Sequence, residues 1–191
     1  MARPEQHDDA ELARSAAAGD RRALEVLLER HLERVYAVCR RILGHPEDAL
    51  DATQEALISV ARSIGRFDGR SAFTTWLYRV ATNAALDEAR RRSRRPVPSE
   101  SAGESPARGP GPDAVAGRLD LDAALSRLPE EFRAAVVLRD VCDLDYAQIA
   151  EVLNIPGGTV RSRIARGRAA LAHELAGNRQ RDVERPTEQL P

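Results

Sequence analysis

Between Pro96 and Arg118 the chain carries five prolines and four glycines, with two valines as its only large apolar side chains. A stretch of this kind cannot bury enough surface to offset the entropy of ordering it. The 191-residue chain is therefore divided. One block covers residues 9–95, a second covers 119–175, and residues 176–191 read as a polar tail. Each block is small enough to need closely packed helices for a core. Composition points the same way: 42% of residues are broadly apolar, only 4% are aromatic, and Ala, Leu and Val dominate over Thr. That balance favours helices over a β-sandwich or barrel. The expected fold class is all-α, two small helical domains on a flexible linker.

Charge and reactive side chains exclude several function classes. The 29 basic residues are all arginine and nearly balance 30 acids, for a net charge of −1, so the chain is not a uniformly basic DNA-coating protein. Cys39 and Cys142 lie far apart with no C-x-x-C, which supports neither a disulfide scaffold nor a cysteine zinc site. Cys39, beside Val38 and Ile42, reads as a small core residue. His7, His31, His45 and His173 are scattered, and no metal spacing, phosphate loop or nucleophile motif accompanies them. The expectation is no enzyme, no cofactor and no metal. Met1 to Asp20 has no apolar segment and no run elsewhere approaches membrane-spanning length, so a cytoplasmic protein without membrane insertion is expected.

In the first block, Asp20 is a fitting N-cap for a helix reaching Leu43, with Leu24, Leu28, Val35, Val38 and Ile42 at helical spacing and Gly44 as its stop. Pro46 suits the first turn of a second helix to Ile64, whose Glu47 and Asp48 complement the helix dipole. Leu50, Leu57, Val60 and Ile64 are its expected buried stripe. Gly65 and Gly69 bracket a short loop, after which Ser71 can cap a long helix ending in the run Arg90 to Arg95. In the second block, Leu119, Leu121, Ala124 and Leu125 suggest a helix closed by Leu128-Pro129, and Glu130 to Val141 a further one. Tyr146 to Leu153 and Thr159 to Leu171 are separated by Asn154 to Gly158, a segment suited to a tight turn. The pair is a helix-turn-helix.

Three faces carry functional chemistry. From Thr159 to Ala172 there are four arginines, Arg161, Arg163, Arg166 and Arg168, and no acid, while Val160, Ile164 and Leu171 point inward. With Thr159 and Ser162 at its start, this helix can bond guanine edges or phosphates. A solvated basic face is the bland alternative. On the long helix of the first block, Trp76, Arg79, Asn83, Asp87 and Arg90 share one stripe, and Phe73, Leu77, Val80 and Ala84 share another. One stripe faces the core, and the other offers a ring, an amide and guanidinium groups suited to unpaired bases. Trp76 by itself fits core packing as well as base stacking. From Trp76 to Arg95 six arginines, Arg91 among them, oppose only Asp87 and Glu88. The preceding helix is opposite in character. Asp48, Asp51 and Glu55, with Gln54 beside them, form an acidic, amide-bearing stripe, and residues 1–60 hold twelve acids against eight arginines. Such a face repels a duplex and suits a basic protein partner, or is simply solvated.

The blocks Asp-Ala-Leu-Asp-Ala-Thr-Gln-Glu-Ala-Leu (48–57), Phe-Thr-Thr-Trp-Leu-Tyr-Arg-Val-Ala-Thr-Asn (73–83) and Gly-Thr-Val-Arg-Ser-Arg (158–163) resemble regions 2.2, 2.3 and 4.2 of bacterial extracytoplasmic-function (ECF) sigma factors. The resemblance covers about Ala10 to Leu175, in family order. It implies a two-domain subunit of RNA polymerase that confers promoter specificity. Asp48, Asp51, Gln54 and Glu55 would then bind the β′ clamp helices of the core enzyme, with the β subunit also in contact. Phe67, Arg70, Trp76, Arg79, Asn83, Arg90 and Arg91 would open and read the minus-ten element, with Trp76, Asn83 and the loop from Phe67 to Ala72 holding a flipped base. Thr159, Arg161, Ser162, Arg163 and Arg166 would face the minus-thirty-five duplex. The resemblance also implies an anti-sigma factor, commonly held at the membrane. Leu50 stands where the family usually has an acid, Ala52 and Thr53 replace large apolar residues, and Pro156-Gly157-Gly158 brings extra glycine to the turn, which is expected to loosen the entry to the recognition helix. The 23-residue linker reaches at most ~75 Å, roughly 20 base pairs at ~3.4 Å each. The competing expectation is a stand-alone helix-turn-helix regulator with a ligand or dimerisation domain at its N-terminus, which leaves the arginine-flanked aromatic helix unexplained.

Overall fold

The structure, a computed structural model, describes residues 4–94 and 121–183, with side chains over 9–94 and 121–176. The expected linker over 96–118 and the chain beyond 183 lie outside the described residues. Every regular element among the described residues is helical, in two domains. The first contains α1 (Pro4–Ala17), α2 (Arg21–Leu43), α3 (Pro46–Ser63), a short 3-10 turn (Ile64–Arg66) and α4 (Phe73–Arg94). The second contains α5, helical at 121–127, then α6 (Glu130–Asp140), α7 (Tyr146–Leu153) and α8 (Gly157–Val183).

Local chemistry sets most boundaries. The Asp20 carboxylate accepts bonds from the Arg22 and Ala23 amides at 2.9 and 3.2 Å and so starts α2. Gly44, at φ +80°, stops it in the left-handed region that side chains avoid. Pro46 occupies the first turn of α3. The core face of α2 is Ala23, Leu27, His31, Val35, Val38, Cys39 and Ile42, with Leu24 and Leu28 on its half-buried flanks.

One expectation about packing is corrected in part, since Val60 and Ile64 are buried as expected, and one helix is additional to those expected. The buried face of α3 is not a leucine stripe: Ala49, Ala52, Thr53, Ala56 and Val60 are buried, whereas Leu50 is 58% exposed. Small side chains let α3 lie close against α2 and α4, and Thr53 Oγ1 donates to the Ala49 carbonyl at 2.6 Å. Helix α1 is absent from the sequence reading because its anchor is polar. The Asp9 carboxylate receives Arg30 at 2.6 Å and His31 Nε2 at 2.8 Å, and of the helix's short apolar residues Ala13 and Ala16 are buried.

In the second domain, Asp145 and Gln148 form a reciprocal capping box at the start of α7, and Asn154 ends it at φ +51°. The glycines of the turn are not a loose joint. Gly157 and Gly158 lie in the first turn of α8, where Thr159 and Val160 donate to the Pro156 carbonyl. Helix α8 runs past Leu171, where the sequence reading ends it, to Val183. Gly167 marks its closest approach to α6: a β-carbon there would meet Val136 Cγ2 at 2.6 Å and the Phe132 carbonyl at 3.2 Å. The two domains are packed together, α7 on α4 and α6 on α2.

Candidate functional site

Helix α3 turns its small-residue face inward, so Asp51, Gln54 and Glu55 project into solvent beside exposed Leu50. Asp48 does not join them as a free carboxylate. Helices α3 and α4 run antiparallel, which brings Arg92 over the start of α3, and its Nη1 lies 2.8 Å from Asp48 Oδ2, with the Asp48 side chain 17% exposed. Further along the same pair, Glu55 shares a groove with Asp87, Arg90, Arg91 and Arg94. The acidic and basic faces of this domain therefore meet at one seam.

The start of α4 carries an aromatic cluster. Phe67 contacts Phe73 edge-on with ring centroids 5.9 Å apart, and Trp76 lies 5.6 Å from Phe67 and 5.9 Å from Phe73. Trp76 is only 8% exposed, so the expectation that its stripe presents the ring outward is corrected: the ring supports the 67–72 loop from beneath. Phe67 is half-buried and Arg70 fully in solvent, its guanidinium 3.1 Å from Asp68. Between this loop and α1 lies a cavity of about 210 Å³, lined by Asp9, Arg14, Phe67, Ser71, Phe73 and Thr74, among others. Of its lining residues, Asp9 is buried and bonded to His31 behind it. His31 also packs against Phe73 at 5.5 Å. Burial lowers the His31 pKa despite the neighbouring carboxylate, which favours the neutral ring, and Nε2 lies within hydrogen-bond distance of Asp9. Asp9 and Arg14 were not singled out in the sequence, where a mostly polar helix carries no apolar signal.

Further along α4, Asn83 is exposed, whereas Arg79, Arg90, Arg91 and Arg92 are paired. Arg90 meets Asp87 and Arg91 meets Glu88, both at 2.9 Å and three residues apart. Arg79 reaches the second domain, 3.4 Å from Glu151 of α7.

On α8 the arginines sort into two sets. Arg161 and Arg166 are exposed, and Ser162 donates to the Thr159 carbonyl while remaining on the surface. Thr159 is half-buried. Arg163 lies sideways, 2.8 Å from Glu131 of α6 with its side chain 24% exposed, and Arg168 pairs with Asp140. These acids lie on α6, which the spacing within α8 could not reveal. Arg163 is thus a strut of the helix mount, and Arg161 and Arg166 are the guanidinium groups presented outward. Among the described residues there is no cluster of metal-ligating side chains, and no helix is long and apolar enough to cross a membrane.

The order of these faces has counterparts in known proteins. Residues 27–95 match the Sigma-70 region 2 family, and residues 118–171 match Sigma-70, region 4. Over 169 residues the chain is 43% identical to the ECF RNA polymerase sigma factor SigE of Mycolicibacterium smegmatis, an alignment covering 84% of this chain and 65% of that longer protein. It is 35% identical over 183 residues to the RNA polymerase sigma-H factor of Pseudomonas aeruginosa, covering 89% of this chain and 95% of that one. The solved structure of CnrH in complex with the cytosolic domain of CnrY matches with a TM-score of 0.67 at 25% identity, over 89% of this chain and 98% of CnrH. With region 2 in its first domain and region 4 in its second, the chain belongs to the ECF sigma factors of RNA polymerase, non-enzymatic subunits that direct transcription initiation through those two regions.

Proposed function

We propose that this chain docks on the β′ clamp helices of core RNA polymerase through Asp51, Gln54 and Glu55, and that Asp48 serves the same face indirectly, by fixing Arg92 at its edge. The observation that carries this reading is the orientation of α3: its small residues are consumed by packing, and Asp51, Gln54 and Glu55 stand exposed beside Leu50. Exposed carboxylates beside an apolar Leu50 suit a basic helical surface with an apolar contact point. The β subunit completes the docking.

Promoter contacts divide between the domains. The loop carrying Phe67 and Arg70, together with Arg79, Asn83, Arg90 and Arg91 of α4, reads and holds open the minus-ten element, and the cavity beside Phe67 accepts a base swung out of the stack. Trp76 acts here by holding the loop in place. Unstacking costs a few kcal/mol per step, so such a pocket acts by trapping a strand already separating. No nucleotide hydrolysis is required. Arg161, Ser162 and Arg166, with Thr159 and the strut Arg163 behind them, dock α8 on the minus-thirty-five duplex. A net charge of −1 leaves the free chain with weak affinity for DNA, and docking on the polymerase makes the second DNA contact effectively intramolecular. The protein acts in the cytoplasm, and an anti-sigma factor, in some cells membrane-bound, holds it inactive.

The test is native association of the purified chain with core polymerase, repeated with Asp51→Arg and Gln54→Ala. Association lost with the first and weakened with the second is expected. Specific duplex binding by the chain alone, with no association with core enzyme, would instead support a stand-alone regulator.

A further inference from the structure

Helix α8 meets an acid at each end of α6. Arg163 Nη2 donates to Glu131 Oε2 at 2.8 Å. Arg168 makes a two-pronged contact with Asp140, from Nε to Oδ2 at 3.1 Å and from Nη2 to Oδ1. Both acids are exposed, so these are surface pairs, which contribute little to stability and open readily. Glu131 suits the first turn of α6, where the helix dipole favours a carboxylate, but Asp140 is the last residue of that helix, where the free carbonyls already concentrate negative charge. The helix itself gains nothing from Asp140, whose ion pair is with Arg168. At about 100° per residue, Arg163 and Arg168 fall on opposite flanks of the face formed by Val160, Ile164 and Gly167, which is buried. Exposed Arg166 lies one turn beyond Arg163 and exposed Arg161 two turns before Arg168, so each flank carries one paired and one outward arginine. A helix about 10–12 Å across in a major groove about 12 Å wide brings both flanks close to the two phosphate strands. Gly167, against Val136 and the Phe132 backbone, fixes the distance between α8 and α6, so side-chain rotation alone can part these pairs.

We propose that Glu131 and Asp140 are positioning residues for DNA binding: they hold Arg163 and Arg168 back from the duplex phosphates, so that region 4 engages DNA through Arg161 and Arg166 with a small sequence-independent contribution. The inference rests on the reading of α8 as the helix that docks on the minus-thirty-five duplex. Phosphate contacts supply affinity for any sequence and carry no discrimination of their own. An arginine already neutralised by a carboxylate adds less to that affinity, because the ion pair must be broken first and the released carboxylate then faces the same strand. With two of its four arginines held in this way, α8 gains little from random DNA. Occupancy of a promoter then depends on the polymerase that positions the helix.

The test is binding of the full-length chain to a fluorescent random-sequence duplex across a salt series. Each phosphate contact adds about 0.9 to the slope of log affinity against log salt, worth roughly eightfold at ~0.1 M relative to ~1 M salt. Glu131→Gln combined with Asp140→Asn should therefore raise affinity at ~0.1 M salt at least tenfold and steepen the slope by up to ~1.8. Each single variant should give about half of that change in slope, and carries the same test if the double variant melts early. A role in mounting α8 alone would move the melting temperature and leave the slope where it is, and an unchanged slope would overturn the proposal. Adding Arg163→Ala and Arg168→Ala to the double variant should return the slope to the wild-type value. A gain that persists there would mean that the acids act through overall charge and not through these two arginines, and would overturn it as well. Absence of duplex binding by every form, even at low salt, would strike the reading of α8 and this inference together, a result distinct from binding with an unchanged slope.

Discussion

Replacing Trp76 by Ala separates the structural role of this ring from any role on the protein surface. The side chain is 8% exposed and contacts both Phe67 and Phe73. A buried aromatic side chain removes about 150–250 Å² from water, worth roughly 4–6 kcal/mol at ~25 cal/mol per Å² as an upper bound. Measured Trp-to-Ala losses in packed cores are about 3–5 kcal/mol. Against a total of about 5–15 kcal/mol for a natural domain, the substitution should remove a large part of the stability of region 2. In urea, followed by far-UV circular dichroism, the first transition should move down by about 2 M for a slope near ~2 kcal/mol per M. Trp76→Phe, which keeps a ring in the cluster, should lose much less. Because Trp76 is the chain's single tryptophan, wild-type fluorescence reports the same site, and its emission should be blue-shifted and protected from iodide. A loss below ~1 kcal/mol for Trp76→Ala, with emission freely quenched, would refute the packing described and return the ring to the surface.

Gly167→Ala on α8 should destabilise region 4 by about 1–3 kcal/mol, although alanine is the better helix former by ~1 kcal/mol, because the new methyl meets Val136 and the Phe132 backbone. Thermal melting of the variant checks this, and a raised midpoint would contradict it. Arg161→Ala and Arg166→Ala should each reduce the salt dependence of duplex binding by about one counterion. Arg163→Ala should change that slope less and lower thermal stability instead, since its guanidinium is held by Glu131. The His31 ring, its pKa lowered by burial, should titrate below the ordinary histidine range when followed by NMR. The unfolded chain takes up that proton below about pH 6.5, so the stability contribution is complete above that pH and declines as pH falls toward the folded pKa. A titration midpoint above the ordinary histidine value would contradict the burial.

Capping residues made most helix boundaries legible: Asp20 and Gly44 bound α2, Pro46 opens α3, and the Asp145–Gln148 box with Asn154 delimits α7. These signals act within a few residues, so a linear chain displays them. Packing was less legible wherever small or polar groups do the work. The inner face of α3 is mostly alanine, so its leucines do not mark the buried side, and Leu50 is exposed. Helix α1 is anchored by Asp9 on a buried histidine rather than by an apolar stripe. Helix α4 is covered from two sides, by α2 and α3 and by α7, so it buries Thr75, Trp76 and Tyr78 together with Phe73 and Leu77. A single-face pattern cannot describe such a helix. The sorting of Arg161 and Arg166 from Arg163 depends on acids of another helix, and the burial of Arg133 on the Ile42 carbonyl, 91 residues away.

The most direct measurement combines the chain with core RNA polymerase and genomic DNA of its own bacterium and maps the 5′ ends of the transcripts. Transcript starts that depend on the chain are expected, preceded by one shared pair of sequence elements near minus ten and minus thirty-five, and lost with Asp51→Arg. Transcripts identical with and without the chain would contradict its action as a sigma factor.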